Sequence, residues 1–146
     1  MKRSADIFFS IFLILIVLLP SILISLLIKF TSNGPILYWS DRIGRNNKIF
    51  KMPKFRTMKL NSPAVASNLI ENPELYITPI GKILRNFSLD ELPQLICILK
   101  GSMSFIGPRP ALFNQKDLIE LRTNNNIHHF CPGITGWAQV NGRDQI

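Results

Sequence analysis

An uncharged apolar segment, Ile7–Ile28, constrains the fold of this chain more than any other feature of its sequence. As a straight helix its 22 residues would extend roughly 33 Å, enough to cross the hydrocarbon core of a bilayer. The segment is too long for the apolar region of a secretory signal peptide, and no small-residue cleavage site follows it. We therefore predict that the chain associates with a membrane through this segment.

Two adjacent residues, Pro20 and Ser21, interrupt the apolar segment past its middle. Proline removes a backbone hydrogen bond and kinks a helix, and the serine hydroxyl can satisfy a freed carbonyl group. Basic residues flank both ends, with Lys2 and Arg3 before the segment and Lys29 after it, and basic flanks favour the cytoplasmic side. A re-entrant hairpin broken at Pro20 satisfies both observations, and we favour it over a kinked helix that spans the membrane once.

The composition restricts the partners of the chain. Its 146 residues allow one modest domain, and its formal net charge of +8 implies an anionic partner such as nucleic acid, anionic lipid or a phosphorylated substrate. The two cysteines, Cys97 and Cys131, have neither metal-binding nor redox-motif spacing. A reducing, cytosolic environment is therefore the simpler interpretation.

The sequence after the membrane segment predicts an α+β, mostly helical fold. Two aromatic and β-branched runs, residues 36–44 and 49–58, flank a turn-like R-N-N-K and predict a short β-hairpin. Helices are predicted at Thr78–Arg85, Leu92–Leu99 and Ala111–Arg122. We expect a membrane hairpin over residues 1–30, followed by a small membrane-associated domain over residues 31–146.

An adjacent acid pair, Asp90 and Glu91, is the strongest indication of chemistry. The chain has only nine acidic residues against seventeen Lys and Arg, and Arg85 and Arg109 lie on either side of the pair in the sequence. Carboxylates act as nucleophiles, proton carriers or Mg²⁺ ligands, and guanidinium groups suit phosphate. The pattern predicts a site for a phosphorylated substrate, at which a divalent cation would relieve repulsion between the two carboxylates.

A structural role for the acid pair is equally compatible with the sequence. Ser88 to Glu91 match the capping box S-x-x-E, in which Glu91 would only stabilise a helix start. The two roles are compatible, because a helix macrodipole stabilises an ionised Asp90 in the first turn.

Further basic residues are candidate phosphate contacts. Arg109 lies between two prolines that stiffen its backbone, and Arg143 follows the turn signal Asn-Gly. Lys54, Arg56 and Lys59 form a basic cluster in the second predicted strand. For each of these residues a solvated surface charge is the alternative, and for the cluster attraction to lipid headgroups is another.

The order of these motifs resembles the bacterial sugar transferase family, the monotopic phosphoglycosyl transferases that initiate surface-glycan assembly. The resemblance covers nearly the whole chain. The matching pieces are K-R-x-x-D at residues 2–6, the Pro20–Ser21 break, S-x-G-P at 32–35, R-I-G at 42–44, K-F-R-T-M at 54–58, S-L-D-E-L-P-Q-L at 88–95, G-P-R-P at 107–110 and P-G-I-T-G-W-A-Q-V-N-G-R at 132–143.

The resemblance implies a monotopic enzyme at the cytoplasmic face of the bacterial inner membrane. Such an enzyme moves a sugar-1-phosphate from a UDP-sugar to polyprenol (undecaprenyl) phosphate, releases UMP and requires Mg²⁺. This is the first membrane step of exopolysaccharide, capsule or O-antigen synthesis. By the same resemblance Asp90 is the nucleophile and a metal ligand, and Glu91 assists Mg²⁺ or proton handling. Arg85 and Arg109 contact phosphate, with Arg143 a weaker candidate.

The chain departs from the family pattern at two places that bear on activity. Ser102 replaces the acidic residue of the usual G-D-M-S, and the sequence given ends at Ile146, before a W-x-x-K-F-x-x-D-type segment of the family. We therefore expect the C-terminal part of the family domain to be missing, and an inactive, truncated membrane-associated remnant is the alternative function. A nucleic-acid binder is not favoured, because the sequence has no recognisable nucleic-acid motif or basic helix.

Overall fold

A computed structural model describes residues 2–62 and 72–141 of the chain. The α-helices of these residues are α1 (Lys2–Thr31), α2 (Pro79–Asn86), α3 (Leu95–Lys100), α4 (Lys116–Asn124) and α5 (Trp137–Val140). The strands are β1 (Leu37–Ile43), β2 (Ile49–Phe55), β3 (Ser104–Ile106) and β4 (Gly133–Thr135). The predicted α+β, mostly helical class is confirmed.

Helix α1 contains the apolar segment and confirms the prediction of a long N-terminal apolar helix. The mean hydropathy of its most apolar 18-residue window is 3.2, so α1 is long and apolar enough to cross a membrane. It continues through Pro20 without interruption, whereas the predicted hairpin requires a turn there. The hairpin is therefore not seen, because a single proline removes one bond of the helix and the bonds on either side continue it.

Polar contacts with α3 and β3 fix the first turns of α1. The Arg3 guanidinium donates hydrogen bonds to the carbonyl groups of Ile98 and Leu99, the latter at 2.6 Å. The Ser104 hydroxyl donates to Oδ2 of the buried Asp6 at 2.9 Å. These contacts give the K-R-x-x-D motif a structural role, because they tie the start of α1 to the end of α3 and to β3.

The chain packs as two compact units, each assembled from separated stretches. The first unit contains residues 1–15, 40–52 and 94–146, and the second contains residues 16–39 and 53–93. The core of the second unit consists of Ile24, Ile28, Phe55 and Leu84. Ile28 is completely buried, so the last turns of α1 belong to a packed protein core.

Close backbone packing joins two sequence motifs in the first unit. Strands β3 and β4 are parallel, and the Gly107 N–H donates to the Thr135 carbonyl at 3.0 Å. The Gly133 N–H donates in turn to the Pro108 carbonyl at 3.0 Å. A Cβ atom on Gly107 would clash with the Cys131 carbonyl, so the contact between G-P-R-P and P-G-I-T-G depends on glycine.

The predicted β-hairpin is confirmed, because β1 and β2 pair in a two-stranded sheet. A short 3₁₀ turn, Arg45–Asn47, connects them. Asn46 and Asn47 adopt the left-handed conformation there, with φ angles of 55° and 58°, which asparagine tolerates better than most residues. Pro53 lies within β2, and a two-stranded sheet leaves both strands at an edge.

Two of the three predicted helices begin later than expected. The segment Leu89–Gln94 is a 3₁₀ helix that contains Pro93, and α3 begins only at Leu95 because proline has no N–H to donate. Helix α4 begins at Lys116, since the Gln115 side-chain oxygen accepts a bond from the Leu112 N–H and closes a turn. The third helix, α2, confirms its prediction within one residue at each end.

Candidate active site

Four charged side chains come together in the second unit. Lys54 lies near the end of β2, Arg85 in the last turn of α2, and Asp90 and Glu91 in the first turn of the 3₁₀ helix. The Lys54 ammonium is 2.6 Å from Oε1 of Glu91 and 3.9 Å from Oδ2 of Asp90. The structure thus brings together four residues that the sequence predicted for the site.

These side chains are largely removed from water. The exposed fractions are 18% for the Lys54 side chain, 12% for Asp90 and 24% for Glu91. Charges in such surroundings interact more strongly than they do on a fully solvated surface. Lys54 therefore serves both carboxylates as a shared counterion.

Burial sets the acidity of Asp90. Desolvation raises the pKa of this carboxyl above its usual value, and the neighbouring Glu91 charge also raises it. Lys54 and, to a smaller extent, Arg85 lower the same pKa without cancelling the effect of burial. Asp90 is thus a more basic carboxylate than an exposed aspartate, whereas the helix macrodipole alone would have lowered its pKa.

A left-handed residue connects α2 to the acid pair. Ser88 has a φ angle of 55°, which turns the chain sharply between Arg85 and Asp90. Its N–H donates to the Arg85 carbonyl at 3.2 Å, and its carbonyl accepts from the Glu91 N–H at 3.3 Å. An N-cap residue normally has an extended backbone, which Ser88 does not have, and the capping box stays a prediction.

Arg85 is held by a residue that sequence reasoning did not select. Its Nε donates a hydrogen bond to Oγ1 of Thr57 at 2.9 Å. Thr57 is buried and follows Lys54 by three residues in the K-F-R-T-M motif. The motif was visible in the sequence, but nothing in it distinguished the threonine from its charged neighbours.

Arg56, a predicted phosphate contact, is engaged elsewhere in the structure. Its guanidinium donates to the Ser32 carbonyl at 3.0 Å, to the Ser32 hydroxyl at 2.7 Å and to the Asn33 carbonyl at 2.7 Å. The residue is only 5% exposed. These contacts fix the chain just after α1, which gives Arg56 a structural role in the second unit.

Two further phosphate contacts were predicted from the sequence, Arg109 and Arg143. Arg109 belongs to the first unit, where its side chain is exposed and its carbonyl accepts a bond from Arg122 at 2.7 Å. Arg143 lies outside the described residues. The phosphate-binding roles of both residues remain predictions.

Ser102, which replaces an acidic residue of the family pattern, stabilises the end of α3. Its hydroxyl donates to the Cys97 carbonyl at 3.1 Å, next to the left-handed Gly101 that ends the helix. A carboxylate at this position could not donate that bond. The departure therefore has a local structural use.

The acid pair fits the donor chemistry of Mg²⁺. Within residues 2–62 and 72–141, no three His, Cys, Asp or Glu side chains converge to hold a metal ion. Mg²⁺, however, is commonly bound through one or two carboxylates together with substrate phosphates, and Asp90 and Glu91 supply that number. The Lys54 ammonium carries the positive charge beside the two carboxylates in this structure.

The sequence is similar to those of known proteins. The family described as bacterial sugar transferase matches residues 1–146. The exopolysaccharide production protein ExoY of Sinorhizobium fredii is 38% identical over 161 residues, which cover 99% of this chain and 70% of that protein. The UDP-glucose:undecaprenyl-phosphate glucose-1-phosphate transferase of Escherichia coli is 38% identical over 146 residues, covering 97% of this chain and 31% of that protein.

A third relative shows the same pattern. The undecaprenyl-phosphate galactose phosphotransferase of Salmonella typhimurium is 37% identical over 165 residues, covering 100% of this chain and 33% of that protein. The chain therefore spans about a third of the length of the Escherichia coli and Salmonella relatives. Because the family match extends over every residue, the chain belongs to the bacterial sugar transferase family.

Proposed function

We propose that this chain transfers a sugar-1-phosphate from a UDP-sugar to undecaprenyl phosphate through a covalent intermediate on Asp90. The observation that carries the proposal is the buried Asp90, which adjoins Glu91 and Lys54 and is influenced by the charge of Arg85. The names of two relatives, which describe transfer of glucose-1-phosphate or galactose phosphate to undecaprenyl phosphate, support the same chemistry.

The packing of the second unit connects this site with an apolar helix. Ile24 and Ile28 of α1 form one core with Phe55 and Leu84. Phe55 directly follows Lys54 in the sequence, and Leu84 directly precedes Arg85. A membrane-embedded α1 would therefore hold the site close to the bilayer surface, where the phosphate group of a polyprenol lipid lies.

We also propose that both ends of α1 lie at the cytoplasmic face of the inner membrane, which makes the protein monotopic. The Arg3 end contacts α3, and the Ile28 end is packed in a protein core. The basic residues at both ends favour the same cytoplasmic side.

In the proposed first step, a carboxylate oxygen of Asp90 attacks the β-phosphorus of the UDP-sugar. The bond from this phosphorus to the bridging oxygen breaks, and UMP leaves with that oxygen and its electron pair. The product is an aspartyl phosphosugar on the enzyme. Arg85 and Lys54 offset negative charge on the phosphoryl oxygens, since fixed cations stabilise the transition state.

In the proposed second step, a phosphate oxygen of undecaprenyl phosphate attacks the same phosphorus. The bond between this phosphorus and Asp90 breaks, the carboxylate is regenerated, and undecaprenyl diphosphate sugar is released. The covalent intermediate divides one difficult transfer into two easier ones. Because burial raises the pKa of Asp90, its ionised carboxylate is also a stronger nucleophile than an exposed one.

Asp90 and Glu91 are the residues that would hold Mg²⁺. When bound, the ion would neutralise charge on the diphosphate of the substrate. Lys54 is the counterion of both residues in this structure, because its ammonium contacts both carboxylates.

The test is UMP release from a panel of UDP-sugars by the membrane-reconstituted chain, with undecaprenyl phosphate and Mg²⁺ present. We expect release from at least one sugar nucleotide and its loss in Asp90→Asn. Absence of release across the panel, from a folded and membrane-bound protein, would contradict the proposal. It would favour the alternative of an inactive, membrane-associated remnant.

A further inference from the structure

We propose that Thr57 is a positioning residue, whose hydroxyl holds the Arg85 guanidinium in place for binding the diphosphate of the substrate. This inference rests on the proposed function, because it assigns Arg85 to that diphosphate. Thr57 touches neither substrate nor reacting atoms in this scheme, and its influence is exerted through Arg85. It is the uncharged polar member of the K-F-R-T-M motif, and the proposed chemistry gives it no role.

Thr57 contacts α2 at two places. Its carbonyl accepts hydrogen bonds from the Thr78 N–H at 2.9 Å and from the Thr78 hydroxyl at 3.2 Å, directly before the helix begins. Its own hydroxyl accepts the bond from Arg85 Nε in the last turn, at 2.9 Å. One buried residue therefore fixes both the start of α2 and the functional side chain near its end.

Gly81 makes this double contact possible. A Cβ atom on Gly81 would clash with the Thr57 carbonyl. The absence of a side chain at this position therefore lets α2 pack closely against the Thr57 backbone.

Fixing Nε restricts the orientation of the guanidinium plane. Arginine recognises phosphate oxygens through a rigid, planar fork of donors, so its contribution depends on that orientation. Preorganised charge costs no rearrangement when the substrate reacts, whereas a mobile arginine must first be ordered. Loss of the Thr57 hydroxyl should therefore weaken the phosphate site and leave every charged residue present.

The first experiment compares Thr57→Val and Thr57→Ser in the UMP-release assay. Valine has the shape of threonine without the hydroxyl, and we expect kcat to fall roughly tenfold to a hundredfold, as for loss of a hydrogen bond to a charged group. Serine keeps the hydroxyl and should retain kcat within about threefold. The control is Thr123→Val, because the Thr123 hydroxyl likewise accepts a hydrogen bond from a side-chain nitrogen, Asn47 Nδ2 at 3.0 Å, but in the other unit.

Two measurements that do not need turnover keep this inference separate from the proposed function. In Thr57→Val we expect weaker binding of UDP by calorimetry and loss of the protected Arg85 Nε–H resonance in NMR spectra, with both properties retained in Thr57→Ser. If the wild-type chain releases no UMP but shows these differences, the proposed function fails and the positioning role stands. The positioning role would be overturned if the wild type, Thr57→Val and Thr57→Ser had equal UDP affinity and, where turnover is seen, equal kcat. A wild-type chain that does not bind UDP would overturn it as well.

Discussion

Lys54 and Arg56 lie two residues apart on either side of Phe55, and both are largely buried, yet their partners differ in kind. Lys54 contacts the carboxylates of Asp90 and Glu91, whereas Arg56 donates to backbone carbonyls and a hydroxyl after α1. A cation between carboxylates can exchange them for a phosphate group, and a metal ion can take the place of that cation beside the carboxylates. A cation bonded to backbone carbonyls fixes the architecture, so burial and charge alone do not identify a functional residue.

The largest expected effect follows from replacing the proposed nucleophile. In Asp90→Asn the covalent step is lost, and we expect UMP release to fall by at least about a thousandfold. The initial rate with the preferred UDP-sugar measures the effect, and Arg56→Lys, a change at a residue with structural contacts, is the comparison. Retention of more than a tenth of the wild-type rate would show that Asp90 is not the nucleophile.

Lys54→Met should reduce activity while leaving the fold intact. We expect kcat to fall about tenfold to a hundredfold, because a charge-assisted contact in the site is lost. Lys54 lowers the pKa of Asp90, so its removal raises that pKa further, and the acid limb of the kcat profile moves to higher pH. An acid limb at the same pH as in the wild type would show that Lys54 does not lower the pKa of Asp90.

Arg56→Met should show the opposite pattern, in which stability falls more than chemistry. The substitution removes three hydrogen bonds at the end of α1, and we expect the free energy of unfolding to fall by about 2–3 kcal/mol. Thermal unfolding in one fixed detergent, with Lys54→Met measured in parallel, gives the comparison. Equal melting temperatures for the two variants would show that Arg56 contributes no more to stability than Lys54 does.

The smallest expected effect is on the free energy of unfolding, which the ionised carboxylate of the buried Asp90 lowers. The pKa of Asp90 is higher in the folded than in the unfolded chain, so its ionised form destabilises the fold above the folded pKa. This cost disappears as the pH falls below the unfolded value, which is about 3.9. Asp90→Asn should therefore unfold at a slightly higher temperature than the wild type at neutral pH, and the gap should close on acidification. A variant that is less stable at neutral pH would contradict this sign.

The elements that were predicted correctly are those encoded by neighbouring residues. The uncharged apolar run of α1, the turn-flanked strands β1 and β2, and helix α2 are all encoded by such local signals. The acid pair and two of its cations, Lys54 and Arg85, were also chosen from the sequence, because their charge pattern was unusual for this chain.

The interactions that were not predicted join residues far apart in the sequence. The Arg56 contacts with Ser32 cross 24 positions, and the Arg85 contact with Thr57 crosses 28. The parallel pairing of β3 with β4 likewise joins Ser104 to Gly133. Tertiary packing decides such partners, so the sequence around Arg56 gives no local indication of whether the arginine will bind phosphate or a carbonyl group.

The most direct test of the central claim is to trap the covalent intermediate. The protein is incubated with its preferred UDP-sugar and Mg²⁺ without undecaprenyl phosphate, quenched and digested with trypsin. The peptide of residues 86–100 contains Asp90 and Glu91 as its only acidic side chains. We predict UMP release that stops near one equivalent per protein and a phosphosugar adduct on this peptide, both absent in Asp90→Asn. Continued UMP formation without an adduct, or an undiminished adduct in the variant, would contradict the account.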